Sequence, residues 1–143
     1  MRRIALVCMI FLAACSWFKS DPNDKIIPRA DLRNLTDQFN ASLAGDPDLA
    51  AVFGPFKSTG TKRPDTEPFG YLTVNRKVWS ELSLNDRQQR VKKAADLFTK
   101  IFVDSPVNVA ETATVYLVDR GADLGWFHAR TAQGDYLFKI PSF

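Results

Sequence analysis

The hydrophobic pattern changes its period once along the chain, and this change restricts the fold more than any other feature. Between Leu84 and Phe102, apolar residues recur three or four positions apart, as on one face of a helix. From Thr112 onward, three runs rich in β-branched and aromatic residues are separated by short turns. The sequence therefore predicts an α+β domain, in which N-terminal helices and one long amphipathic helix pack on a small antiparallel sheet with a C-terminal three-strand meander.

Shorter elements are expected before the long helix. The segment Arg29–Ala44 carries one apolar stripe at helical spacing. Asp46 and Pro47 are typical of the cap and the first turn of a second, short helix. Gly54–Gly70 contains three prolines and three glycines, which predicts a long loop, and a loop of this length is a candidate partner site. Tyr71–Val74 is expected to form a short strand.

The long helix also carries a basic cluster, which is a candidate interaction surface. Its basic residues outnumber the acidic residues Asp86 and Asp96 by three. Such a face can lie on anionic headgroups, at about 1 kcal/mol per basic residue near the surface. The alternative is an ordinary solvated helix face. The cluster consists of Arg87, Arg90, Lys92, Lys93 and Lys100.

The N-terminus has a basic start followed by the apolar run Ile4–Ala14. This run has eleven residues, whereas a membrane-spanning helix needs about 20, so it predicts a cleaved secretory signal. The tetrapeptide at 12–15, Leu-Ala-Ala-Cys, resembles the lipobox of bacterial lipoproteins at every position. The resemblance implies cleavage before Cys15, lipid attachment to its thiol and acylation of the new amine. Ser16 matches the outer-membrane sorting of that family.

Removal of this signal changes what the composition implies. The 143 residues include 19 basic and 16 acidic groups, a net charge of +3. Loss of Arg2 and Arg3 leaves 17 basic groups against 16 acidic ones, a net charge of +1, which gives no support for nucleic acid binding. Cys8 is lost too and Cys15 is lipidated, so no disulfide is expected. We expect a signal peptide at 1–14, a lipidated tether at 15–27 and a single globular domain at 28–143.

Catalytic chemistry is not expected. His128 is the only histidine, and alternation places it on one strand face with Leu124 and Trp126. A catalytic histidine needs a nucleophile or a positioned acid, and the sequence offers none at a diagnostic spacing; the alternative is a structural histidine. A zinc site would need mostly carboxylates, against its usual ligand preference. Asp119 and Asp123 flank a turn, and turn chemistry explains both. We expect no cofactor and no metal.

One segment resembles a cell-wall motif. The decapeptide at 82–91, LSLNDRQQRV, looks like the peptidoglycan-binding motif of OmpA-like domains, Leu-Ser-x-x-Arg-Ala-x-x-Val. Arg87 and Val91 come one and two residues late, and Gln88 stands where the motif has a small residue. A capped amphipathic helix produces a similar string without any such function.

The expected function is therefore that of a lipid-anchored protein on the periplasmic face of the bacterial outer membrane. The domain is expected to act as a non-catalytic accessory or interaction module of a cell-envelope assembly, with a protein partner. One alternative is a small-ligand or peptidoglycan-binding lipoprotein that uses Trp126, Tyr136 and Phe138 around a concave pocket. The other is an enzyme with His128 in a cleft, within hydrogen-bond reach of an acid or a hydroxyl.

Overall fold

The structure is a computed structural model that describes residues 29–59, 69–104, 112–130 and 137–139. The predicted signal peptide, Cys15, the tether and Tyr136 lie outside these residues. The described elements are, in chain order, α1 (Arg29–Gly45), α2 (Pro47–Val52), β1 (Phe53–Ser58), β2 (Gly70–Val74), α3 (Arg76–Glu81), α4 (Leu84–Phe98), a π-helical segment (Thr99–Val103), β3 (Thr112–Asp119), β4 (Ala122–Arg130) and β5 (Leu137–Lys139).

The strands form one sheet in the order β1-β2-β3-β4-β5. β3, β4 and β5 are antiparallel neighbours, so the predicted meander is confirmed. The α+β class is confirmed as well, but the prediction of a purely antiparallel sheet is wrong. β2 and β3 pair in parallel, because α3 and α4 carry the chain back across the sheet between them.

The predicted loop Gly54–Gly70 is wrong at both ends. Pro55 and the glycine before it lie inside β1, and the last residue of the predicted loop begins β2. β1 is an edge strand, where a proline without an N–H is tolerated. A bulge between Phe53 and Phe56 hides the alternation from the sequence. Residues 60–68 lie outside the described part, so a partner site there stays a prediction.

Helix α1 holds the outer edge of β1 through one side chain. Asn40 of α1 donates from Nδ2 to the carbonyl oxygen of Phe56 (3.1 Å) and accepts at Oδ1 from the Phe56 N–H (2.7 Å). The amide group therefore takes the hydrogen-bonding place of a neighbouring strand at this residue.

The helices cover one face of the sheet, and the core lies between the two layers. The apolar face predicted for the long helix is confirmed, since its residues from Val91 to Phe102 on that stripe are all buried. Phe98 and Phe102 stack with ring centroids 4.5 Å apart. Both rings meet Phe39 and Phe56 edge to face, a favoured geometry for aromatic pairs.

Candidate functional site

The face of the sheet opposite the helices carries a row of aromatic side chains. Tyr71 on β2 pairs with Tyr116 on β3, and Tyr116 pairs with Trp126 on β4. The sequence neighbours of each are buried on the helix side, so the three rings point the other way. Tyr71 is 41% exposed, the other two are half-buried, and the two tyrosine rings lie 6.4 Å apart. We call these three residues the aromatic row, and this side of the sheet the open face.

Beside the aromatic row lies the pair Thr114 and His128, which face each other across β3 and β4. Thr114 Oγ1 and His128 Nδ1 are 2.8 Å apart, which is a hydrogen bond. Thr73 and Val118 also lie on the open face and are half-buried, and the exposed Asp123 on β4 pairs with Val118. The surface therefore combines flat rings with hydroxyl and ring-nitrogen groups.

Sequence reasoning located part of this surface. The prediction that His128 shares a face with Trp126 is confirmed, but the inclusion of Leu124 is wrong. A bulge in β4 shifts the register between Leu117 and Val118, and Leu124 packs with the core.

Tyr71 and Tyr116 were missed, although alternation along TATVYLVD places Tyr116 opposite the buried positions. Tyr136 lies outside the described residues, as does the side chain of Phe138.

The enzyme hypothesis required His128 to lie in a cleft beside an acid or a hydroxyl. A hydroxyl partner is present in Thr114, but the pair is half-buried on a sheet face, where cross-strand pairs commonly stabilise the sheet. Asp123 stabilises the backbone of its own strand, since its Oδ1 accepts a hydrogen bond from the Gly125 N–H (2.9 Å). Within the described ranges, no three His, Cys, Asp or Glu residues come together as a metal site would require.

The predicted basic surface on the long helix must be corrected at Arg87. This side chain is only 7% exposed and caps the carboxyl end of α3. Its Nε donates to the Trp79 carbonyl oxygen (2.9 Å) and its Nη2 to that of Ser80 (3.4 Å). The guanidinium carbon also lies 5.6 Å from the centre of the Trp79 ring. A buried group with these contacts belongs to the core and is not available to a membrane or a partner.

Acidic residues of α2 neutralise the middle of the same basic cluster. Arg90 pairs with Asp48 (2.7 Å), and Lys93 pairs with Asp46 and with Asp48 (3.6 Å). Hydrogen bonding to Lys93 lowers the pKa of Asp46, and hydrogen bonding to Arg90 lowers the pKa of Asp48. The hydrogen bond to Asp46 raises the pKa of Lys93.

Lys92 pairs with Asp96 one turn along α4 (3.1 Å), while Lys100 is exposed on the π-helical segment. The described contacts thus assign most of this cluster to holding α2 on α4 and to a solvated helix face, the alternative named above. Whether Lys100 and its neighbours contact a membrane stays a prediction.

No protein-family model, no curated protein and no solved structure matches the chain. Across the described residues, no helix is both long enough and apolar enough to span a bilayer. The functional argument therefore depends on the geometry of the open face and on the N-terminal sequence.

Proposed function

We propose that the chain is a lipid-anchored protein on the periplasmic face of a bacterial outer membrane. Its domain binds an envelope protein through the open face, without catalysing a reaction. The anchor rests on Cys15 and the lipobox-like residues before it. The binding role rests on one observation, the aromatic row on a sheet face that the described helices leave uncovered.

The residue types of the aromatic row favour a protein interface. Tyrosine and tryptophan are enriched at interface centres and among the residues that contribute most binding energy. Each offers a large flat area with few rotatable bonds, so little conformational entropy is lost on binding. Each also keeps one polar group that a partner can hydrogen-bond. Antiparallel sheets with one solvated face usually place polar residues there, so three neighbouring aromatic residues on this face support the presence of a partner.

The flank of the aromatic row indicates the chemistry of that partner. Lys57 on β1 pairs with Tyr71 and extends the row by one strand. It is exposed and forms no ion pair with any described residue. The partner expected from this arrangement is a protein with an apolar patch bordered by a carboxylate, because opposite charges at an interface rim set orientation and association rate.

Site-specific photocrosslinking tests the binding role with a matched control. Tyr71 and Leu84 are the two large exposed hydrophobic residues of the described chain, at 41% and 43%, and Leu84 lies at the start of α4 instead of on the open face. A photoreactive phenylalanine at Tyr71, in cells that produce the full chain, should give one discrete protein adduct. The same probe at Leu84 should give none.

The adduct must also depend on the surface that the proposal names. Trp126→Ser should abolish it, and Lys57→Glu should reduce it about tenfold by placing like charges opposite each other. Equal adducts from both probe positions would contradict the proposal. Adducts to peptidoglycan instead of protein would replace it with the cell-wall alternative, in which the rings stack on sugars.

The anchor is tested separately at Cys15. Because the thiol is the group that would carry the lipid, Cys15→Ser should abolish labelling with radioactive palmitate and release the chain from sedimented membranes. A Cys8→Ser variant is the control, since Cys8 lies within the predicted signal. Unchanged labelling of Cys15→Ser would remove the lipoprotein assignment while leaving the crosslinking result interpretable.

A further inference from the structure

A second surface of the molecule lies at the carboxyl ends of β2 and β3. A cleft of about 660 Å³ opens where β2 passes into α3, beside the turn between β3 and β4. Pockets for small ligands usually measure about 300–1,000 Å³. The polar residues that line the cleft are Asn75, Arg76, Lys77, Ser80, Asp119 and Arg120.

The charge of the cleft is unbalanced. Three cations and the single carboxylate of Asp119 line it, a net charge of +2. Elsewhere in the described chain, the central cations of α4 are paired with carboxylates of α2 or of their own helix. Arg76, Lys77 and Arg120 form no ion pair with the residues that the structure describes. Three unpaired cations around one cleft are therefore available to an anion.

The backbone at Arg120 gives an independent observation. Arg120 has φ 48° and Gly121 has φ 86°, so both residues of this two-residue turn lie in the left-handed region. Such turns favour Asn, Asp or Gly at both positions, and a longer side chain there is strained. Turn stability thus does not account for an arginine at 120, whereas strained residues of this kind are concentrated at binding sites.

The uncharged groups of the cleft suit hydroxyls. Asn75 lines the cleft at the cap position of α3, and its side chain makes no capping hydrogen bond. The Ser80 hydroxyl donates to the Lys77 carbonyl oxygen (2.9 Å) and keeps its lone pairs as acceptors. The carboxylate of Asp119 is a further acceptor.

We propose that this cleft binds a phosphate monoester carried on a hydroxylated group such as a sugar. Arg76, Lys77 and Arg120 bind the phosphate, whose charge of about −2 at neutral pH matches the net charge of the cleft. Asn75, Ser80 and Asp119 bind the hydroxyls. The phosphate can belong to a soluble sugar phosphate or to a lipid headgroup, and the chemistry of recognition is the same. This proposal does not depend on the open face.

The test uses the full chain and two kinds of probe. Glucose 6-phosphate, with glucose as the uncharged control, is titrated by calorimetry. Vesicles containing phosphatidylinositol 4-phosphate, with phosphatidylinositol as the phosphodiester control, are tested by co-sedimentation. If glucose 6-phosphate binds saturably and the vesicles do not bind, the ligand is a soluble sugar phosphate. Stronger binding to the vesicles with the monoester assigns a lipid headgroup.

Three variants decide whether the cleft is responsible. Arg120→Gly should weaken binding of the monoester at least tenfold and raise the thermal midpoint, because glycine relieves the left-handed backbone. Arg76→Ala should also weaken binding at least tenfold. Lys100→Ala removes an exposed cation outside the cleft and should leave the affinity within twofold.

Three results would overturn the proposal. The first is that neither probe binds saturably. The second is that Arg120→Gly and Arg76→Ala both bind as the wild type does. The third is that Lys100→Ala weakens binding as much as they do, because a general attraction of anions would then explain it.

Discussion

Replacing Arg87 with alanine removes a buried cation that contacts the end of α3. The guanidinium binds the carbonyl oxygens of Trp79 and Ser80 and lies over the Trp79 ring. These contacts join α4 to the end of α3. The variant therefore tests whether this residue acts in folding, as its burial indicates, or at a surface, as its sequence position among basic residues predicts.

The magnitude follows from the individual contacts. The 2.9 Å bond from Nε to the Trp79 oxygen is a hydrogen bond from a charged group, worth about 1.5–3 kcal/mol. The contact with the Trp79 ring adds about 0.5–2 kcal/mol. The 3.4 Å bond to Ser80 is long, and we count it as nothing. The free energy of unfolding should therefore fall by about 3 kcal/mol, and the urea midpoint by about 2 M.

Urea denaturation followed by tryptophan fluorescence measures this loss. Lys92→Ala is the matched control on the same helix, because it removes an exposed ion pair with Asp96 and should cost only about 0.5 kcal/mol. Arg87→Lys keeps the charge but loses the planar group, so it should fall between the two. If Arg87→Ala and Lys92→Ala lose the same small amount, the structural role assigned to Arg87 is refuted.

Two further predictions concern the sheet and the α2–α4 contact. A Cβ added at Gly70 would overlap the Phe56 ring and approach the Lys57 carbonyl oxygen at 2.7 Å, so Gly70→Ala should lower the free energy of unfolding by about 1–3 kcal/mol. Gly45→Ala is its control, since nothing lies within 4 Å of that Cβ, and a loss there of similar size would contradict the steric argument.

The pKa values of Asp46 and Asp48 are lowered from 3.8 in the folded state, so their ion pairs stabilise the fold above that pH and are lost as the pH falls through the lowered folded pKa. The double change Asp46→Asn and Asp48→Asn, which keeps a good cap at 46, should therefore reduce the difference between urea midpoints measured at neutral pH and below about pH 4. A double variant whose difference between the two urea midpoints equals that of the wild type would count against the α2–α4 pairs.

The helices could be predicted from sequence because local chemistry decides them. Asp46 caps α2 with its Oδ1 on the N–H groups of Asp48 and Leu49, as its position before Pro47 predicts. Ser83 likewise caps α4 through the Asp86 N–H. The burial of Arg87 could also have been predicted from helical spacing, because Arg87 lies four residues before Val91 on the apolar stripe.

The sheet was harder to predict because its decisive contacts are distant in sequence. No pattern in the neighbouring residues indicates that β2 pairs in parallel with a strand some forty residues later. Pro55 and its glycine neighbour look like a loop until the edge position of β1 is known. The same holds for the site, because Tyr71 and Tyr116 meet only through that parallel pairing.

The clamp between Asn40 and Phe56 bears on how the molecule avoids self-association. A strand edge with free N–H and C=O groups is a template on which a second chain can add a strand, and this is how sheets begin to aggregate. One side-chain amide occupies both groups of Phe56 at the edge of β1. At Phe56, Asn40 thus blocks the place where an added strand would bind, as well as joining a helix to a sheet.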